Sequence, residues 1–470
     1  MFLKQLYTGC LSEAAYFIES DGEAAVIDPV RDTDIYLELA RERNAVIKYI
    51  FETHFHADFV SGHMDLSKKT GAQIIYGPHT ETSLPVYVAR DSETFSIGKL
   101  SIEVLHTPGH TLESSCYLLK NEGGNPHCVF TGDTLFVGDV GRPDLAQQIN
   151  LSKEQLAGML YDSLQRKIVS LPDDVLVYPA HGQGSACGKN LGPETHSTIR
   201  DEKETNYALK AQSRDSFIKA VTEGLTEPPG YFSINARINK EGYESLDKVL
   251  RQGLTPFAVE RVRKMIKKED DFIILDTRNA NEFTLGFLPG SIFIGLEGRF
   301  AEWAGSLLPF NQDILLVTEP GKEEESIVRL ARVGFEKIIG YLEGGFKAWK
   351  ADGERFDMII DIEPAELAMD IPYDENIVLL DVRKPVEFAE GHIRDAVNLP
   401  LSDMKDPGTL AMIDERQNIY VHCTGGYRSV IAASLLKRQG FPNIRNVLGG
   451  WSRIREEQTI SIAKDTSVLN

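Results

Sequence analysis

The chain alternates short apolar runs with polar breaks marked by Gly, Pro, Asn or Asp, and it does so in two regimes. Up to about residue 240 the apolar segments are AAYFI, AAVID, IKYIFET, AQIIYG, SIEVLHT, CVFTGD and VLVYPAH. Apolar runs of this length, bounded by turn residues, predict buried strands. Ser20-Asp21-Gly22-Glu23 between the first two predicts a hairpin, because Asp and Gly tolerate the positive φ of a two-residue turn. Helices are predicted after Gly62 and over Lys153–Val169. A Pro-containing stretch, EGLTEPPGYF (223–232), reads as a loop leading out of this domain.

Beyond it the pattern repeats. ILDTRNANEFTLGFLPGS (274–291) matches LLDVRKPVEFAEGHIRDA (379–396), and LEGGFKAW (342–349) matches LGGWSRI (448–454). Asp276 to Asp381 and Gly344 to Gly449 are the same 105 positions apart. Two copies at one long spacing predict two related domains, since a solenoid needs more and shorter units. Each copy alternates strands with helices, which predicts a small α/β domain with a parallel sheet. The expected domains are 1–245, 246–355 and 356–470.

Composition narrows the function. With 50 Lys and Arg against 70 Asp and Glu, the formal charge of −20 leaves no surplus cation to neutralise phosphates, so no nucleic-acid partner is expected. The N-terminus lacks the apolar core of a signal peptide, and no apolar run approaches a bilayer's thickness, so no membrane association is expected. Five scattered cysteines form no paired framework, which fits free thiols in a reducing compartment; a cytoplasmic protein is expected.

Chemistry concentrates where predicted strands end. THFHADF places His54, His56 and Asp58 just past one strand, HTPGHT places His110 past a second, TGDTLF places Asp133 past a third, and YPAHG places His181 past a fourth. Loops at strand ends converge on one rim of a sheet, and imidazole with carboxylate is a donor set for borderline divalent metals. A metal site is therefore expected in the first domain. In the third, IYVHCTGGYRS (419–429) runs from a strand through a Gly-containing loop into a helix. Cys423 then sits at a helix N-terminus, where converging N–H groups favour a thiolate, with Arg428 as a fixed cation. Thr424, Gly425, Gly426 and Tyr427 complete a loop able to wrap backbone donors around an anionic sulfur. The second domain reads ILLVTEPGKEEES (314–326) at the matching place, with Thr318 near the cysteine position and no Arg at the loop's end; an inactive copy with an assembly or docking role is expected.

THxHxD, HTPGHT, GDTLF and YPAHG, in that order, resemble the metallo-β-lactamase fold, an αββα sandwich with metal at one edge. The resemblance implies an α/β chain in which that sandwich is followed by two small rhodanese-like α/β domains with parallel sheets. In dinuclear hydrolases of the fold the first motif reads HxHxDH; here Phe59 stands at the last position, which speaks against a full second metal site. The departure resembles the persulfide dioxygenase branch, as do FVGDVGRPDL (136–145) and GSACGKNLG (184–192). That resemblance implies one Fe(II) per chain held by His54, His110 and Asp133, with His56, Asp58 and His181 orienting the ligands. It leaves open a second-metal role for those three, and zinc in place of iron. Arg142 is a candidate for holding an anionic substrate group or for a structural salt bridge with Asp144 or Asp139. Cys187 is a candidate persulfide carrier or a packing residue.

The Cys-x₄-Arg spacing of Cys423 and Arg428 resembles the rhodanese loop, one residue shorter than the Cys-x₅-Arg of cysteine phosphatases. Together the resemblances imply a persulfide dioxygenase with a sulfurtransferase. It would oxidise a low-molecular-weight thiol persulfide with O₂ to sulfite and thiol, and pass sulfane sulfur through Cys423 to give thiosulfate. The expected partners are the thiol persulfide, sulfite or thiosulfate, and O₂, in a homo-oligomer. Two rivals stay open: a zinc thioesterase of the glyoxalase II type fused to a sulfurtransferase, and a non-catalytic sulfur carrier or sensor.

Overall fold

The computed structural model describes residues 1–145, 151–225, 227–268, 270–410 and 413–465. The chain forms two compact units, Met1–Lys248 with Leu330–Gly334, and Val249–Arg329 with Phe335–Asn470.

The first unit holds two six-stranded sheets. One runs in order β1 (Phe2–Thr8), β2 (Glu13–Ser20), β3 (Glu23–Ile27), β4 (Val46–Phe51), β5 (Gln73–Tyr76) and β6 (Tyr87–Val88). The other runs from β7 (Thr94–Ile97) through β8 (Leu100–His106), β9 (Ser115–Lys120), β10 (Pro126–Gly132) and β11 (Leu176–Pro179) to β12 (Ser197–Thr198). β2 and β3 form the predicted hairpin, Ser20 pairing with Glu23. Its turn residues Asp21 and Gly22 take φ of 54° and 80°. All seven apolar segments of the sequence pattern are strands or strand ends.

The sheets face each other across an apolar core in which Tyr16, Ile27, Phe51 and Ile75 from one meet Ile102, Val104, Tyr117 and Phe130 from the other. The outer face of the second sheet is buried under the helix Lys153–Ser163, its π-turn Leu164–Ile168 and the helix Arg214–Thr222. The helix His63–Thr70 packs on β4 and β5 of the first sheet. This is an αββα sandwich, and its interior is apolar enough that polar chemistry is confined to the rim where the strands end. The Pro-containing stretch 223–232 does not lead out of this unit. The helix Phe232–Glu241 that follows it belongs to the same unit and lies against the rim, with Asn239 Nδ2 donating to the His56 and Phe59 carbonyls at 2.8 Å each.

The second unit contains both repeats. The first has a five-stranded sheet, β13 (Pro256–Phe257), β17 (Ile338–Leu342), β16 (Asp313–Val317), β14 (Phe272–Asp276) and β15 (Ile292–Phe293) in spatial order, all parallel. The second has β18 (Ile360–Ile362), β23 (Ile444–Val447), β22 (Asn418–His422), β19 (Ile377–Asp381) and β21 (Val397–Asn398), also parallel. The shared DxR motif is a strand-end brace. Asp276 pairs with Arg278 and Asp381 with Arg383 at 2.6 Å, and each Arg donates on to the carbonyl of Gly286 or Gly391. The guanidinium carbons lie 4.6 Å from the ring centres of Phe346 and Trp451.

Phe130 stacks on Tyr178 (5.8 Å) and touches Tyr16 (4.8 Å) in the inter-sheet core. Phe130→Ala is expected to cost about 3–5 kcal/mol, read from the urea midpoint of the first unit's transition. Val46→Ala, at a position 65% exposed, is expected to stay within about 0.5 kcal/mol.

Candidate metal centre and sulfur-transfer loop

The strand ends of the sandwich bring together the residues that their spacing singled out. His54 follows β4, His110 follows β8, Asp133 follows β10 and His181 follows β11, and all four are buried. One ligand atom each from His54, His110 and Asp133 lies within 4.8 Å of the others. Asp133 Oδ2 faces His110 Nε2 at 3.4 Å and His54 Nε2 at 3.8 Å. That oxygen is buried and accepts no hydrogen bond.

The opposite nitrogens are already committed. His54 Nδ1 is 2.9 Å from Thr53 Oγ1, and His110 Nδ1 donates to the Arg142 carbonyl at 2.8 Å. Fixing Nδ1 leaves each Nε2 aimed at the shared point, the usual device for holding a metal-ligating histidine. Burial, and then the charge of neighbouring His56, push the His54 pKa well down, so this ring is neutral and its lone pair is available. An orphaned carboxylate oxygen facing two imidazole nitrogens fits a divalent ion, and these three residues would hold it.

His181 spans two carboxylates, Nδ1 2.7 Å from Asp133 Oδ1 and Nε2 2.8 Å from Asp58 Oδ2. Burial opposes its charge, but Asp133 and Asp58 outweigh burial and hold its pKa well above the ordinary imidazole value. For Asp133, burial pushes the pKa up, and the charge and hydrogen bond of His181, with His54 and His110, overcome it and hold the group well below the carboxylate range. His56, Asp58 and His181 also offer ligand atoms within 4.8 Å of one another. Phe59 stands beside them fully buried, its ring centre 4.4 Å from His56 and 6.5 Å from His181. His56 Nε2 turns to Asp28 Oδ1 at 3.1 Å.

The remaining candidates of this unit are placed as follows. Arg142 is buried, donates two bonds of 2.7 Å to the Asp144 carboxylate and a third to the Ala186 carbonyl. It therefore braces the His110 contact made by its own carbonyl. Cys187 is buried with Sγ within 4.8 Å of ligand atoms of Asp133 and His181. Burial, then the charges of Asp58 and Asp133, push its pKa well up, which holds it as a thiol. A cleft of about 420 Å³ opens beside His110, lined among others by Phe55, Thr111, Phe232, Arg237 and Lys240. A second cavity of about 370 Å³ shares Phe55, Glu113 and Lys240 with it.

Sequence reasoning missed two residues here. Asp28, at the end of β3, accepts from Thr53 N at 2.7 Å and Thr53 Oγ1 at 2.8 Å, which anchors the loop carrying His54. Asn239 clamps the same loop from a helix remote in sequence. Asp28 follows a strand as the ligands do, and that position was its signal; Asn239 gave none.

In the second unit, the helix Tyr427–Arg438 begins directly after the loop from β22. Cys423 is 1% exposed, and Gly426 N donates to its Sγ at 3.1 Å. Gly426 holds φ 114°, which lets the chain turn its amide inward. Gly450 packs so closely that a Cβ there would lie 2.2 Å from the Cys423 carbonyl oxygen. Tyr427 donates to the Gly295 carbonyl of the first repeat at 2.7 Å, which pins the loop's far side. Arg428 binds Glu387 through both nitrogens, at 2.7 and 2.8 Å. Glu387 went unnoticed in the sequence, although it lies in the repeated EF motif. In the first repeat, Val317 pairs with Asp276 as His422 pairs with Asp381, so Thr318 occupies the register of Cys423.

The fold and its rim define a class of metalloenzyme, an αββα sandwich extended by a pair of parallel-sheet modules. Residues 8–181 match the metallo-beta-lactamase superfamily, and residues 258–352 and 363–457 each match the rhodanese-like domain. A Schizosaccharomyces pombe protein described as a probable hydroxyacylglutathione hydrolase is 30% identical over 227 residues, 43% of this chain and 84% of that one. The curated relatives matched first are spanned over 60% to 84% of their own lengths. The crystal structure of a metallo-beta-lactamase from Staphylococcus aureus subsp. aureus COL is 31% identical and superposes with a TM-score of 0.64, covering 73% of this chain and 98% of that one. The structure of ETHE1 from Myxococcus xanthus is 32% identical, with a TM-score of 0.44, over 51% of this chain and 98% of that one. The chain belongs to the metallo-beta-lactamase superfamily and carries two rhodanese-like domains. No helix among its described residues is long and apolar enough to cross a membrane.

Replacing His110 by Ala or Asp133 by Asn is expected to weaken metal binding by at least about 100-fold. Metal analysis of anaerobically purified protein measures this, with near-ultraviolet circular dichroism confirming that the fold persists.

Proposed function

We propose that this enzyme oxidises a low-molecular-weight thiol persulfide with dioxygen at a single ferrous ion, and moves sulfane sulfur through Cys423. The observation that carries the reading is the contrast between two neighbouring donor sets. His54, His110 and Asp133 offer a complete two-imidazole, one-carboxylate face, which suits an iron oxygenase with open positions. The adjoining His56, Asp58 and His181 group has the buried ring of Phe59 at its side, where an additional imidazole would complete a second site. Ferrous iron supplies redox chemistry toward dioxygen that zinc, with no accessible second oxidation state, does not.

The protein's own residues set up the rest. Thr53 and the Arg142 carbonyl fix the two imidazoles, and His181 holds Asp133 in register. The cleft beside His110 takes the thiol portion, with apolar walls from Phe55 and Phe232 and cations from Arg237 and Lys240. The overall change is balanced: persulfide, dioxygen and water give thiol and sulfurous acid. At the second site, the Cys423 thiolate attacks the outer sulfur of a donor, forming one S–S bond as another breaks, and the Gly426 amide supports the charge on Sγ. The expected products are sulfite and, after transfer of sulfane sulfur to it, thiosulfate.

A second reading has its own support. The curated relatives are described as hydroxyacylglutathione hydrolases, and His56, Asp58 and His181 do cluster closely enough to hold another ion. On that reading the centre binds zinc and cleaves a thioester. Oxygen consumption separates the two. Iron-loaded protein is expected to take up dioxygen when given glutathione persulfide and to release sulfite, and zinc-loaded protein to take up none. A two-zinc protein that hydrolyses an acylglutathione and leaves oxygen untouched would overturn the proposal. Independently, Cys423→Ser is expected to lower sulfane-sulfur transfer from thiosulfate to cyanide below about 1% of the parent.

A further inference from the structure

The cation of the sulfur-transfer loop is not held open for a substrate anion. Arg428 Nη1 donates to Glu387 Oε2 at 2.7 Å, and Nη2 donates to Glu387 Oε1 at 2.8 Å and to Thr424 Oγ1 at 2.7 Å. Thr424 Oγ1 donates back to Glu387 Oε1 at 2.8 Å, closing a three-residue ring along one wall of the cradle. Burial pushes the Glu387 carboxyl up, but its bonds from Arg428 and Thr424 win and bring its pKa down to about 2, so the wall carries a full negative charge beside its positive one.

Arg428 is the single Lys or Arg in 423–429, and nearby Arg383 is spent on buried Asp381 at 2.6 Å. The first repeat has kept Glu282 at the place of Glu387, 105 positions earlier, but has lost both the cysteine and the arginine. What the cradle offers a donor is backbone amide and a nearly neutral wall, open where Thr424 and Gly425 are exposed.

That electrostatic setting separates two classes of sulfur donor. Thiosulfate is a small dianion whose charge lies next to the sulfur to be transferred, and the paired Arg428–Glu387 wall offers it no net positive charge. A thiol persulfide brings at most one charge to the reacting end. We infer that Glu387, by neutralising Arg428, is a positioning residue that tunes Cys423 for thiol persulfides over thiosulfate. The inference rests on the reading of Cys423 as the sulfur-accepting nucleophile. In either reaction the Cys423 thiolate attacks the outer sulfur, a new S–S bond forms, and the old S–S bond breaks with its electron pair leaving on thiolate or on sulfite. No external oxidant or reductant is needed.

The test is loading of Cys423 in a single turnover of the full chain, read by intact mass as a protein one sulfur heavier. Thiosulfate and glutathione persulfide serve as the two donors. In the parent protein, half-saturation by thiosulfate is expected to need at least about tenfold more donor than half-saturation by persulfide. In Glu387→Gln, which removes the negative charge but keeps a hydrogen-bonding partner for Arg428, the ratio of thiosulfate to persulfide efficiency is expected to rise at least about fivefold. The thiosulfate half-saturation of that variant is expected to climb with added salt, as exposed-charge attraction is screened. A ratio that stays or falls in folded Glu387→Gln overturns the inference, and so does a parent that loads equally well from both donors. If Cys423→Ser still gains a sulfur at the same rate, the underlying reading fails instead, and the two failures are told apart.

Discussion

The rim of the sandwich depends on burying polar and ionisable side chains together. Asp133, Asp28, Glu52 and Asp58 are all buried there, as are His54, His56, His110 and His181. A buried carboxylate without a partner is costly, and so is a buried imidazolium without one. Most of the group resolves that cost internally: His181 is held between Asp133 and Asp58, and Asp28 is filled by Thr53. Asp133 Oδ2 accepts no hydrogen bond and faces two imidazole nitrogens. A divalent ion at that point would satisfy this oxygen, which ties the candidate metal site to the stability of this edge.

The same economy governs the rhodanese-like repeats, with a different outcome. Both preserve the Asp–Arg brace at the end of the central strand, so both preserve the loop's foundation. Only the second keeps the thiol, the inward amide and the Arg428–Glu387 pair. The first instead contributes packing, its Gly295 carbonyl receiving Tyr427 from the loop that holds Cys423. A duplicated fold can thus lose its reactive loop and retain its frame, since frame and loop rest on separate interactions.

Much of this was written in the sequence. Post-strand His and Asp residues converge because sheet edges gather loops, so His54, His110, Asp133 and His181 were legible from local pattern alone. The hairpin at Asp21-Gly22 was legible from the backbone demands of its turn, and the repeat from its constant spacing. The Cys-x₄-Arg loop was legible because a strand, a glycine pair and a helix start leave few arrangements for the thiol.

What only the tertiary structure decided is pairing between residues far apart in the chain. Arg142 reads from sequence as a substrate cation or a brace to a neighbouring carboxylate, and beyond Asp144 the fold brings it to the Ala186 carbonyl, 44 positions away. Arg428 reads as a fixed cation beside Cys423, and the fold pairs it with Glu387, 41 positions away. The stretch 223–232 reads as an exit, yet the helix after it returns to clamp the His56 loop through Asn239, 183 positions away. Local pattern reports which backbone a segment prefers, because φ, ψ and burial period are properties of neighbours. Which charge meets which is set by the packing of whole layers, and no window along the chain contains both partners.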